Sequence, residues 1–340
     1  MSSHEKNQPA IIIGILEGFK KFSSHHYKNA CNDLGLGYEI IDFVSPDWIK
    51  NIEKSKADLF VAQPEGSVSV EKQMYDERLY FLVHSMGKKI YPSFDELFIY
   101  KNKRNMVYWL EIHKIPHPKT KVIYLRNREL NDVVPWLEEL QYPIIYKTNT
   151  GSAAAGVHLV NSKRQLNRLL KKISRSGFVR KPANKLDVQR GYAIFQQHIP
   201  DAKQWRIIKI GESYFGHQKL KAGRFHSGSD RIGWYDPPKS ILQLCKDVCD
   251  RGNFTSMALD ILEDAMGNYY VIGLQTIFGS YNPSQMYIDG KPGRYLYDEL
   301  NDEWIFEEGY FNKHYSHKLR LEYAINQILI ERKNKHMTIQ

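Results

Sequence analysis

The strongest constraint on the fold lies in the first hundred residues, where short apolar runs alternate with segments of helical period. "PAIIIGILEG", "YEIIDFV" and "ADLFVAQPEG" read as strands, the first of them buried. The segment from Phe22 to Leu34 and the stretch "EKQMYDERLYFLVHSMG" read as helices, and "KKIYPS" follows them. Short apolar strands separated by helices indicate a parallel α/β layer. In such a layer a ligand lies at the carboxyl ends of the strands, which here places it near Glu17, Gly18 and the turn "QPEGS".

A helix over Lys101 to Lys114 comes next, stopped by the prolines of "KIPHPKT". A second α/β unit holds "TKVIYL", the helix "LNDVVPWLEEL", the strand "YPIIYK" and the basic helix "SKRQLNRLLKKISRS". In that helix Leu166, Leu169, Leu170 and Ile173 form an apolar stripe. Its cations read first as the solvated face of a surface helix, and second as a contact for an acidic substrate or membrane surface. From Tyr192 the pattern changes to strands and hairpins, "YAIFQQHI", "WRIIKIG" and "SYFGHQKL", interrupted by a helix from Pro238 to about Asp250. "SMALDILEDAMGNYYVIGLQTIFG" is a hairpin turning at "DAMGN", and "HKLRLEYAINQILIERK" is a closing amphipathic helix. The expected division is 1–100, 101–190 and 191–340, with no internal repeat.

Composition narrows the function. The 340 residues, 42% of them hydrophobic, suffice for ordinary cores, and the formal charge of +10 favours anionic partners. Cys31, Cys245 and Cys249 make neither a disulfide framework nor a CxxC pair, and the last two read as buried thiols in a reducing compartment. "MSSHEKNQPA" lacks the apolar core of a signal peptide and no apolar run approaches the roughly 18 residues of a membrane span, so a cytoplasmic location is expected. His25, His26, His113 and His117 have no companions at zinc spacing, and the aromatic residues are spread along apolar elements with no nucleic-acid motif. No nucleophilic Ser or Cys context is present either, which leaves phosphoryl chemistry.

Three elements carry that chemistry. Lys147 ends an apolar strand beside the small-residue loop Thr148 to Gly156, which reads either as an ordinary flexible connection with a surface lysine or as a loop whose backbone N–H groups close over phosphate. The spacing of Gly151 and Gly156 imitates half a P-loop, but Val157 and His158 stand where a P-loop carries its Lys and Ser or Thr. In the hairpin, Asp260 shares one face with Ala258 and Leu262, and Gly273 and Gln275 share the facing surface of the next strand. A carboxylate inside an apolar strand needs a partner, either magnesium bridging nucleotide phosphates or a neighbouring Arg or Lys. Arg206, Lys219 and Lys221 make the third element, a basic hairpin suited to a triphosphate or acyl phosphate, or to the defence of a solvated edge strand.

The order from Lys103 through "IPHP", Lys147 with its loop, "FQQHIPDAKQWRIIKIG" and the Asp260 hairpin resembles the ATP-grasp superfamily along essentially the whole chain. Its members include D-alanine–D-alanine ligases, glutathione synthetases and ribosomal-protein glutamate ligases. The resemblance implies an α/β (α+β) architecture, with an N-terminal parallel α/β domain preceding two α+β subdomains that clasp a nucleotide. It implies that Lys103 and Lys147 hold ATP phosphates, that Gly151, Ser152 and Gly156 belong to the phosphate-covering loop, and that Gln196, Gln197 and Ile199 receive adenine. Arg206, Lys219 and Lys221 would stand near the transferred phosphate, and Asp260 with Gln275 would hold Mg2+. Family members place a glutamate where Gly273 stands and an asparagine where Gln275 stands; Glu263, Asp264 or Glu308 are the acids that could substitute.

The resemblance implies an ATP-dependent carboxylate–amine ligase working through an acyl phosphate. Its partners would be a carboxylate on a sugar polymer, peptide or amino acid, plus an amine, with Arg294 as an acceptor contact. A kinase on the same scaffold and a catalytically impaired, nucleotide-binding relative stay open as alternatives. The sequence does not fix an oligomeric state, and a homodimer is one it allows.

Overall fold

The computed structural model describes residues 11–19, 22–64, 68–126, 128–151, 156–179, 187–221, 231–278 and 280–338. The N-terminal alternation folds as expected into a parallel sheet of order β2-β1-β3-β4, with β1 Ile12–Glu17, β2 Gly37–Asp42, β3 Leu59–Ala62 and β4 Ile90–Tyr91. The helices α1 Phe22–Asp33, α2 Trp48–Lys54, α3 Ser69–Tyr80 and α4 Phe94–Ile99 accompany the strands. Gly14 lies in the middle of β1 because a Cβ there would meet the Phe60 ring at 2.6 Å. Only glycine lets β1 and β3 approach so closely.

The chain continues through α5 Lys103–Ile112, β5 Thr120–Tyr124, the short α6 Leu130–Val133, β6 Ile144–Lys147, β7 Val157–Val160 and α7 Lys163–Arg175. The single helix expected over "LNDVVPWLEEL" is broken into α6 and a 3-10 turn at Val134–Leu137. Pro135, the second residue of that turn, supplies no N–H for an α-helical bond. The basic helix α7 buries Leu166, Leu170 and Ile173 under the sheet and turns its cations outward.

Two small strands, β8 Phe178–Val179 and β9 Val188–Gln189, precede β10 Tyr192–Gln197. The sequence reading began its third segment at residue 191, but β10 completes the second sheet, whose order is β5-β10-β6-β7 and whose pairings are all antiparallel. Its four central residues are buried between two partner strands, so it is a central strand and not the first edge of a new unit.

The third sheet gathers β11 Lys203–Ile210, β12 Ser213–Lys219, β13 Ile232–Gly233, β14 Ser256–Glu263, β15 Tyr269–Gln275, β16 Tyr287–Ile288, β17 Lys291–Asp298 and β18 Glu303–Glu308. Helix α8 Lys239–Gly252 covers it with Ile241, Leu242, Cys245, Val248 and Cys249, so both thiols are buried as expected. The β14–β15 turn closes because Asp264 Oδ1 accepts the N–H groups of Met266 and Asn268, both at 2.9 Å, while Gly267 takes φ +83°. The β17–β18 hairpin is not among the elements read from sequence; alternation around Tyr295 and Trp304 was its available signal.

Helix α9 His317–Thr338 closes the chain by packing Leu321, Ala324 and Ile328 with Ile13 and Ile15 of the first sheet. Two buried charged residues tie this closure to β14. Glu96 of α4 completes a capping box with Ser93, accepting that N–H at 2.8 Å, and also accepts Thr255 N–H at 2.8 Å and Ser256 N–H at 2.7 Å. Arg320 of α9 donates to the Ser256 hydroxyl at 2.9 Å and to the Tyr315 carbonyl at 2.9 Å. The start of β14, four residues before Asp260, is thereby fixed from both sides. Replacing Glu96 by Ala should cost about 3–5 kcal/mol in denaturant unfolding, because buried donors lose a charged acceptor. A cost below about 1 kcal/mol would show that Glu96 does not anchor β14.

Candidate functional site

The third sheet brings its polar residues into one row. Register pairs Gly273 with Asp260, Asp260 with Arg206, and Arg206 with His217, so four adjacent strands contribute one position each, with Lys219 two residues beyond His217. A β-bulge between Asp260 and Ile261 keeps Gly273 opposite Asp260, and Gln275 stays on that face.

Asp260 is buried and both of its oxygens are fully engaged. Oδ1 accepts from Arg206 Nε at 3.0 Å and Lys219 Nζ at 2.7 Å; Oδ2 accepts from Arg206 Nη2 at 3.0 Å and Gln275 Nε2 at 2.9 Å. Burial alone would raise the Asp260 carboxyl, but the Arg206 and Lys219 charges outweigh it and hold the group well below the usual carboxylate range. Burial in turn lowers the Lys219 ammonium, against the pull of Asp260. The partner that the carboxylate requires is therefore an Arg–Lys pair.

Lys147 faces this cluster from the second sheet, where it ends β6. It is buried, and burial lowers its ammonium to about 8 while the Asp260 charge pulls the other way. Its Nζ donates to Gln196 Oε1 at 2.6 Å, and Gln196 Nε2 donates to Thr120 Oγ1 at 2.8 Å. The charge of Asp260, bonded to Arg206 and Lys219 in the third sheet, thus acts on Lys147 of the second.

Each of the other expected residues has its own surroundings. Lys103 donates from Nζ to the carbonyls of Asn149, Thr150 and Gly151 at 3.3, 3.4 and 3.1 Å, beside the small-residue loop. Gly151 and Gly156 bound the loop at φ +103° and +87°, a region that favours glycine; Ser152 lies outside the described residues. Gln197, on the opposite face of β10 from Gln196, accepts Gln141 N–H at 2.9 Å, and Ile199 is half-buried just past the strand. Lys221 is exposed beyond the end of β12, where its charge acts on His198. Arg294 binds Glu307 and the Ser213 hydroxyl, both at 2.8 Å, on the β17 side of the sheet.

The donor set does not fit a magnesium ion. Among the described residues no three His, Cys, Asp or Glu side chains converge as metal ligands. The acids that could substitute for the missing glutamate are engaged elsewhere. Glu263 accepts Trp205 Nε1 at 2.7 Å, Asp264 closes its turn, and Glu308 pairs with Lys291 at 3.5 Å. A metal bound to Asp260 would also lie beside two cations already bonded to it, where like charges repel strongly in a buried setting.

Sequence reasoning missed His217. Its Nδ1 lies 3.0 Å from the Gln285 carbonyl, which places a proton on that nitrogen, and burial followed by the Arg206 charge pushes the imidazole down to about 4. It is neutral at pH 7. Its position two residues before Lys219 on the same strand face was the signal available.

Neither a family model nor a curated protein sequence matches the chain. Solved structures do resemble it. D-alanine–D-alanine ligase from Bacillus anthracis aligns over 96% of this chain and 100% of its own, with a TM-score of 0.58 and 14% identity. A RimK-domain ATP-grasp protein from Sphaerobacter thermophilus aligns over 77% of this chain and 89% of its own, with a TM-score of 0.54 and 15% identity. The biotin carboxylase domain of Hydrogenobacter thermophilus 2-oxoglutarate carboxylase, solved with MgADP and bicarbonate, covers 82% of this chain and 66% of its own, with a TM-score of 0.57 and 12% identity. The chain has the ATP-grasp fold. No helix among the described residues is long and apolar enough to cross a membrane.

Removing the carboxylate should leave Arg206 and Lys219 facing each other without a counter-ion. Asp260→Ala is expected to lower unfolding free energy by about 3–5 kcal/mol, with part recovered in the Asp260→Ala/Arg206→Met double variant. Additive losses in the double variant would show that the pair is not coupled.

Proposed function

We propose that the protein binds ATP between its second and third sheets and uses it to join a carboxylate to an amine. The observation that carries this reading is the ATP-grasp fold, in which Arg206 and Lys219 of the third sheet bond Asp260 and the Asp260 charge acts on Lys147 of the second. A carboxylate oxygen attacks the γ-phosphorus, the bond to the β-phosphate oxygen breaks, and ADP leaves. The amine nitrogen then attacks the acyl carbon, phosphate departs with the C–O bonding pair, and the amine loses a proton to water. Lys147 binds phosphate, and Arg206 and Lys219 neutralise the charge of the acyl phosphate. Lys103 organises the small-residue loop through its carbonyls. Magnesium, expected from the family resemblance, enters none of these steps, because the donor set does not fit it. The substrate carboxylate belongs to a sugar polymer, peptide or amino acid, in keeping with the basic balance of the chain.

One observation favours a second reading, nucleotide binding without turnover. Gly273 stands where the family carries a glutamate, and even a Cβ at this position would lie 3.1 Å from Asp260 Cβ and 3.2 Å from its Oδ2. ADP release from ATP, assayed by mass spectrometry with pooled carboxylates and amines, separates the two: an amide product supports the ligase, and bound ATP with no ADP formed supports the second reading.

Lys147→Ala should weaken ATP binding about tenfold or more, and unchanged affinity would remove the central claim. Affinity should also fall as pH rises through about 8, where Lys147 and Lys219 both lose their charge. The last phosphate ionisation, near pH 6, is already complete there. Lys147→Arg should weaken that dependence and leave the part due to Lys219, and the double variant Lys147→Arg/Lys219→Arg should abolish it, since a guanidinium stays charged; a pH profile unchanged by the double variant would assign the titration to another group.

A further inference from the structure

We infer that this site takes a phosphate-bearing anion directly on Arg206, Lys219 and Lys147, without a divalent metal, and that Asp260 is the internal counter-ion that holds the two cations of the third sheet in place. The inference rests on the reading that nucleotide phosphates enter this site. It reassigns the residue that the family resemblance makes a magnesium ligand.

Hydrogen-bond accounting supplies the first reason. An ionised carboxylate offers about four lone-pair sites. Asp260 fills them with Arg206 Nε, Arg206 Nη2, Lys219 Nζ and Gln275 Nε2, all within 3.0 Å. Gln275 meets Asp260 with its amide nitrogen, so it acts here as a donor and not as an oxygen ligand.

The cations, by contrast, keep unspent donors among the described residues. A guanidinium carries five N–H groups and an ammonium three. Arg206 uses Nε and Nη2 on Asp260, Lys219 one contact on Asp260, and Lys147 one contact on Gln196. None of their atoms is a buried orphan. A guanidinium with its remaining edge free, flanked by two ammonium groups, suits the equatorial oxygens of a phosphoryl group.

Charge gives the same result. Three cations and one carboxylate leave the cluster with two net positive charges, the sign that a metal ion would otherwise bring to the triphosphate. Gly273 contributes no acid, and it avoids the 3.2 Å contact that a Cβ there would make with Asp260 Oδ2.

The test is a calorimetric titration of the full chain with ADP and, separately, with inorganic tripolyphosphate, in EDTA and then with magnesium in excess. Each dissociation constant should change by less than about threefold between the two conditions, while Lys219→Gln and Lys147→Gln each weaken binding about tenfold or more. Circular dichroism and the unfolding midpoint check that the variants fold. Binding that appears only with magnesium would overturn the metal-free site and leave the nucleotide reading standing. Tripolyphosphate binding without ADP binding would support the anion site and overturn the nucleotide reading; absence of both would overturn both. Binding in EDTA that ignores Lys219 and Lys147 would remove these residues from the site. Manganese titrated alone and followed by electron paramagnetic resonance should stay free; bound manganese lost in Asp260→Asn would overturn the inference independently of any variant of the cations.

Discussion

A carboxylate buried in the middle of a sheet cannot remain charged without partners, and the arrangement around Asp260 follows from that requirement. Desolvation opposes its ionisation, and only the adjoining guanidinium and ammonium reverse the balance. Arg206 must therefore stand opposite Asp260 on β11, and Lys219 must come one rung further along β12. Once these positions are set, the strand order β15-β14-β11-β12 arranges Gly273, Asp260, Arg206 and His217 in one row.

The anchoring of β14 serves the same row. Glu96 and Arg320 are both fully buried, and they grip Thr255 and Ser256 at the start of the strand from helices of opposite ends of the sequence. A strand fixed at its first residues carries Asp260 at a defined height in the sheet. The charge of Asp260 acts on Lys147 in the other sheet, on a strand whose neighbour β10 holds Gln196.

Much of this was legible in the residues. The alternation before residue 100 gave the parallel sheet, and the period-two pattern of the Asp260 hairpin put Gly273 and Gln275 on the face of Asp260, where register now finds them. The need of Asp260 for a partner was also visible, and both candidates, metal and cation, were named. What the pattern did not decide was which partner is present, since Arg206 and Lys219 lie 54 and 41 residues away and only strand pairing brings them to it. His217 was passed over for the same reason. A histidine in an apolar hairpin gains meaning only when the opposite residue is known to be an arginine.

Sequence by itself determined the first parallel sheet, the Asp260 hairpin and the residue types available for phosphate, because periodicity and turn chemistry are local properties. Tertiary structure alone decided that Gln196, and not Gln197, meets Lys147, that strand β10 belongs to the second sheet, and that Arg206 and Lys219 stand against Asp260. Each of these depends on which side chains face one another across strands distant in the chain, and such pairings are set by register and by the cost of leaving a buried polar group unmatched.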